Sequence, residues 1–118
     1  TPAKVEVLLA ALRAIATEAP VTAQAAYPTV WPTHGLPPMR LTPRQASLQP
    51  SQPVALAAAV GMICGEPIIP YPPGIPLIMP GEQITAEVLA YLSELISLGV
   101  KIVGPQDMHM NTIQVIPD

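Results

Sequence analysis

The chain has 118 residues, a net charge of −3 and only 11% charged residues, while half of its residues are hydrophobic. That length suits one compact domain, and the charge is well below the roughly 25% of ordinary soluble domains, so some of its surface is expected to lie under other protein. The five cations (Lys4, Arg13, Arg40, Arg44 and Lys101) form no cluster, which argues against a nucleic-acid surface, and no apolar run reaches the ~20 residues that span a bilayer.

Residues 1–18 predict a helix. Thr1 suits a cap and Pro2 the first helical position, where a missing N–H costs nothing. Val5, Leu8, Leu9, Leu12 and Ile15 recur at helical spacing, and Pro20 ends the pattern. This helix either packs on the domain or belongs to the region before it. Its stripe is interrupted by Lys4, Glu6 and Arg13, so it is no signal peptide.

Residues 19–53 carry eight prolines and keep neither period. They read as an extended connection, with one helical turn near Pro43–Ser47 started by Thr42. A bare loop of that length is uncommon inside a domain, so it is expected to lie against a surface, with Tyr27 and Trp31 as anchors. Residues 54–60 are Ala-rich and predict one or two helical turns ended by Gly61. Met62 to Ile69 reads as a buried strand interrupted at Gly65–Pro67. The prolines of 70–76 make a stiff, extended segment unable to join a central ladder. Leu77 to Met79 reads as a second short strand, and Pro80-Gly81 as a turn.

The strongest element is a helix over about 85–98. Thr85 is its N-cap candidate, with Glu87 in the first turn, where the helix dipole favours an anion. Val88, Leu89, Leu92, Leu95 and Ile96 form the buried stripe, and Gly99 supplies a left-handed C-terminal residue. Two short strands follow, near 101–103 and 112–116. Helices mixed with short strands predict an α+β fold.

Glu66-Pro-Ile-Ile-Pro-Tyr-Pro-Pro-Gly-Ile-Pro-Leu-Ile-Met-Pro-Gly-Glu82 is the most distinctive stretch. It closely resembles the C-terminal domain of the bacterial-type Orn/Lys/Arg decarboxylases. Leu41-Thr42-Pro43-Arg44, Ala59-Val60-Gly61, Ile84-Thr85, Tyr91-Leu92, Gly99, Gly104, Asp107 and Thr112-Ile113-Gln114-Val115 fit the same pattern. The likeness runs from about Met39 to the end. Residues 1–38 look like the tail of a preceding small subdomain plus a Pro-rich linker.

The resemblance implies a larger parent enzyme of PLP-dependent fold type I. It converts arginine, lysine or ornithine to the amine and CO2, with arginine favoured by general similarity. In that family a catalytic lysine carries the cofactor within a Ser/His-Lys context, and an aspartate pairs with its pyridine nitrogen. Neither Lys4 nor Lys101 has that context, and no Gly-rich phosphate loop is present. This chain alone is therefore expected to bind no PLP and to be inactive. Its expected partners are its own N-terminal PLP domain and a second copy in a homo-oligomer. The lone Cys64 suits a reducing cytoplasm.

Glu66, Tyr71 and Gly74 are the substrate-binding candidates. A basic substrate needs a carboxylate for its distal ammonium or guanidinium, and Glu66 lies in apolar sequence beside the stiff segment. It alternatively pairs with Arg40, Arg44 or a backbone N–H. Tyr71 and the Pro72-Pro73-Gly74-Ile75 run form either a wall of a substrate funnel or a structural corner, with Gly74 admitting another backbone. Glu82 is read as an anion at the following helix N-terminus, and Arg44 as an anchor of its loop or a contact with the large domain. Asp107 and His109 offer two potential ligands without a third, short of a closed metal site, and His34 reads as a loop residue. Cys64 is read as a small buried hydrophobe. The rival reading is a Pro-rich binding module using the Pro70–Pro73 PxxP spacing; the isoleucines around it argue for burial instead.

Overall fold

A computed structural model describes residues 1–18 and 35–117. Tyr27, Trp31, His34 and the rest of residues 19–34 lie outside the described residues.

Helix α1 (Pro2–Glu18) forms over the predicted span, and none of its residues is buried. Val5, Leu8, Leu9, Leu12 and Ile15 all stay exposed. A helix gains most of its stability by packing an apolar face, so this stripe is a face without its cover among the described residues.

Helix α2 (Pro43–Ser47) is held by a capping box: Thr42 Oγ1 accepts from Gln45 N–H at 3.2 Å, and Gln45 Oε1 accepts from Thr42 N–H at 2.9 Å. The Ala-rich run departs from expectation. Strand β1 (Gln52–Ala55) comes first, and only Leu56–Ala58 coils, as one 3-10 turn. A helix this short has almost no stability of its own, and pairing with a strand decides its fate instead.

That partner is β5 (Thr112–Ile116), the middle of a three-stranded antiparallel sheet ordered β1-β5-β2, with β2 at Ile63–Cys64. Pro53 stands opposite Gln114. Gln114 turns both its N–H and its C=O away from β1: the carbonyl accepts from Gly65 N–H at 2.8 Å and the N–H reaches Glu66. The missing proline N–H is therefore not needed, and β1 is an edge strand, where proline is tolerated.

A second sheet pairs β3 (Ile69–Tyr71) with β4 (Lys101–Val103). Pro70 thus does enter a strand, in a two-stranded ribbon where each strand has a free edge. Leu77 to Met79 forms no strand. Ile68 N–H donates to Ile78 C=O and Leu77 N–H to Ile68 C=O, but Pro67, Pro76 and Pro80 lack the donors that would lengthen the ladder.

Helix α3 (Ala86–Ser97) spans the predicted positions. Thr85 Oγ1 accepts from Val88 N–H, and Val88, Leu89, Leu92 and Leu95 are buried. Leu92, at 0% exposure, lies in one continuous core with Cys64, Ile68, Ile78, Ile84, Ile113 and Val115. Helices and two small antiparallel sheets around that core make the fold α+β.

Candidate functional site

Strand β2 stops after Cys64 because the chain turns at Glu66-Pro67 toward the second sheet. Gln114 N–H then has no strand to donate to. Glu66 takes that place with its side chain: Oε1 accepts from Gln114 N–H at 2.8 Å and Oε2 from Gln106 N–H at 2.7 Å. Glu66 is 5% exposed, the one buried charged residue among those described. Of the roles weighed for it, the backbone N–H pairing is the one seen. Arg40 instead directs Nε and Nη2 to Gln83 Oε1, at 3.1 and 2.8 Å, and Arg44 is exposed on α2. The carboxylate therefore joins β5 of one sheet to the loop after β4 of the other.

Tyr71 and Gly74 are not beside that carboxylate in environment: residues 71–76 are all exposed, Tyr71 at 58%. Gly74 N–H donates to Pro70 C=O at 2.9 Å and closes the corner. The neighbour that Gly74 admits is a ring, not a backbone: Tyr71 Cδ2 lies 3.3 Å from where a Cβ would stand. The corner's base is firm, since Ile68, Pro70, Leu77 and Ile78 are buried on either side. Leu36, Pro37, Pro76, Leu77 and Met79 line a cleft of about 230 Å³ next to it, with Glu82 as its one acidic residue. A wider depression of about 560 Å³ over Leu56, Val60, Ala86, Leu89 and Ala90 has an uncharged lining, so it offers no partner for a basic substrate.

Glu82 does not cap α3. Its Oε2 accepts from Met79 N–H at 2.8 Å and closes the Pro80-Gly81 turn, leaving the helix cap to Thr85. Cys64 is fully buried, and burial pushes its thiol up to about 12; its Sγ–H donates to Glu66 C=O at 3.0 Å. Such a thiol is an inert core residue.

Asp107, weighed from the sequence only as a potential metal ligand, organises the turn before β5. Oδ1 accepts from His109 N–H, and Oδ2 from Asn111 N–H, Thr112 N–H and Thr112 Oγ1–H. These bonds, His109 N–H first, hold its carboxyl below the usual range. A depressed folded value means the stabilisation is complete above the unfolded value of about 3.9 and is lost as pH falls through the folded one. Asp107→Asn is therefore expected to lower the urea midpoint at pH 7. The gap from the parent chain should close as the medium is acidified toward the folded carboxyl's own range; a constant gap contradicts the assignment. Among the described residues no group of three or more His, Cys, Asp or Glu is placed to hold a metal.

PLP needs a lysine at its aldehyde and a cradle for its phosphate. Lys4 lies exposed on α1 and Lys101 exposed at the start of β4, neither in a pocket described above. Among the described residues, neither lysine is placed to fit the cofactor. No helix among those described is long and apolar enough to cross a membrane.

The chain is 36% identical over 83 residues to an arginine decarboxylase of Bacillus subtilis, covering 70% of this chain and 17% of that protein. It is 42% identical over 82 residues to the constitutive lysine decarboxylase of Escherichia coli, covering 63% and 12%. The lysine decarboxylase of Francisella novicida superposes with a TM-score of 0.62 at 33% identity, over 70% of this chain and 14% of that one. The chain thus spans about a sixth or less of these relatives. A family model matches residues 22–107; with the two-sheet fold and the Glu66–Glu82 stretch, this chain belongs to the family of the Orn/Lys/Arg decarboxylase C-terminal domain.

Proposed function

We propose that this chain is the accessory C-terminal domain of a PLP-dependent decarboxylase of basic amino acids, packing on the PLP domain and shaping the mouth of its active site. The observation that carries this reading is the Tyr71–Pro76 corner. It is stiff, mounted on a buried base and exposed, and it belongs to a chain that is a small part of its relatives. An apolar, proline-locked corner is poorly suited to open water and well suited to a wall against a neighbouring surface.

In this reading Tyr71 and Gly74 line the approach to the substrate. The parent reaction releases CO2 from arginine, lysine or ornithine, with arginine favoured by the match to arginine decarboxylases. PLP, held by the preceding domain, supplies the electron sink. Residues 1–38 are the tail of a preceding subdomain and its linker, and the uncovered stripe of α1 packs there. The enzyme acts in the cytoplasm as a homo-oligomer. The isolated chain is inactive and binds no PLP, in keeping with the exposed positions of both lysines.

Tyr71→Ala in the full-length enzyme tests the reading. The expected result is a KM for the basic amino acid raised by roughly tenfold, the loss of about 1.4 kcal/mol of binding, with an unchanged Tm. An unchanged kcat/KM contradicts it.

A further inference from the structure

We propose that Glu66 is a positioning residue for the substrate entrance, acting through the angle between the two sheets rather than by touching substrate. The inference rests on the reading of Tyr71–Pro76 as part of that entrance.

The corner is carried at the end of β3, and β3 is bonded only to β4 in its sheet. A two-stranded ribbon is marginal by itself and takes its orientation from what it is fastened to. Two ties fasten it near Glu66. The carboxylate bonds Gln114 N–H in β5 and Gln106 N–H after β4. Gly104, between β4 and Gln106, lies against Pro67 C=O. One side chain thus spans the three-stranded sheet and the ribbon, eight residues before Gly74.

The chemistry of the tie requires a carboxylate. Both partners are N–H donors, so both oxygens must accept. A carboxamide offers one acceptor and turns an NH2 toward the other donor, leaving two donors face to face. An oxygen that merely completed a turn would need no second acceptor.

The test uses the full-length decarboxylase with Glu66→Gln, Tyr71→Ala and the double variant, and Leu95→Ala as a buried core variant that is not one of the bonded partners of the tie. KM and kcat are measured with lysine, arginine and ornithine, well below each Tm. The expected result for Glu66→Gln is a KM raised about threefold to tenfold with kcat nearly kept, and a double variant no worse than Tyr71→Ala alone, as coupled residues behave. Leu95→Ala should lower Tm and leave KM unchanged. A Glu66→Gln enzyme that behaves like Leu95→Ala overturns the positioning role, as does a double variant whose effects multiply. If Tyr71→Ala itself leaves KM unchanged, the entrance reading fails and this inference with it. Should Glu66→Gln not fold, Gln106→Pro removes a single donor and is judged by the same readouts.

Discussion

Gly81→Ala and Gly104→Ala are each expected to destabilise the chain by on the order of 3 kcal/mol or more, a large share of the stability of a small domain. Two effects add at each site. Gly81 has φ +94° and Gly104 φ +107°, outside the range L side chains adopt without strain. A Cβ would also run into a main-chain oxygen, that of Leu41 at Gly81 and that of Pro67 at Gly104. At Gly81 the crossing is also held in place by hydrogen bonds. Gly81 C=O accepts from both Arg40 N–H and Leu41 N–H, at 2.9 and 3.0 Å, and Gly81 N–H donates to Cys64 C=O, so that crossing is knitted on both sides. Urea unfolding of the chain, followed by circular dichroism, reads the effect as a midpoint shift. Gly61→Ala is the useful contrast: φ is +86° there, yet nothing lies within 4 Å of the added carbon. It should cost only the backbone term. Equal losses at all three positions contradict the argument from close approach.

Leu92→Ala should cost about 2–5 kcal/mol, the range for emptying a buried leucine site. Leu92 is fully buried at the middle of α3 and lies in the same apolar cluster as the inner residues of β5. Truncating it removes buried apolar volume from the cluster that α3 and β5 share. Leu92→Met keeps most of the volume and should cost less than about 1.5 kcal/mol. Ala90→Ser, on an exposed position of the same helix, should stay within about 0.5 kcal/mol. Calorimetry of the three variants measures the order directly. A Leu92→Ala protein as stable as Ala90→Ser removes α3 from the core.

Burial also divides the two residues of the proposed entrance. Glu66 and Tyr71 stand five positions apart, yet one is 5% exposed and the other 58%. In the proposed division Tyr71 lines the approach to the substrate and Glu66 holds the frame.

Elements whose cause is local were legible from the residues alone. Helices α1, α2 and α3 follow from apolar period and from Thr42 and Thr85 as caps, all within a few residues of each other. The span of β5 was legible too, since alternating apolar residues mark it. What pairing decides was not legible. Residues 52–55 became a strand because β5 offers an edge; Leu77–Met79 did not, because the prolines around it leave too few donors to extend a ladder with Ile68. Glu82 and Asp107 close turns through backbone N–H groups two to five residues away, where the sequence offered a helix terminus and a metal ligand instead. Glu66 is the clearest case. Its neighbours in sequence marked it as a charge in apolar surroundings, but the two N–H groups it serves come from 40 and 48 residues away, and only the folded chain brings them to its two oxygens.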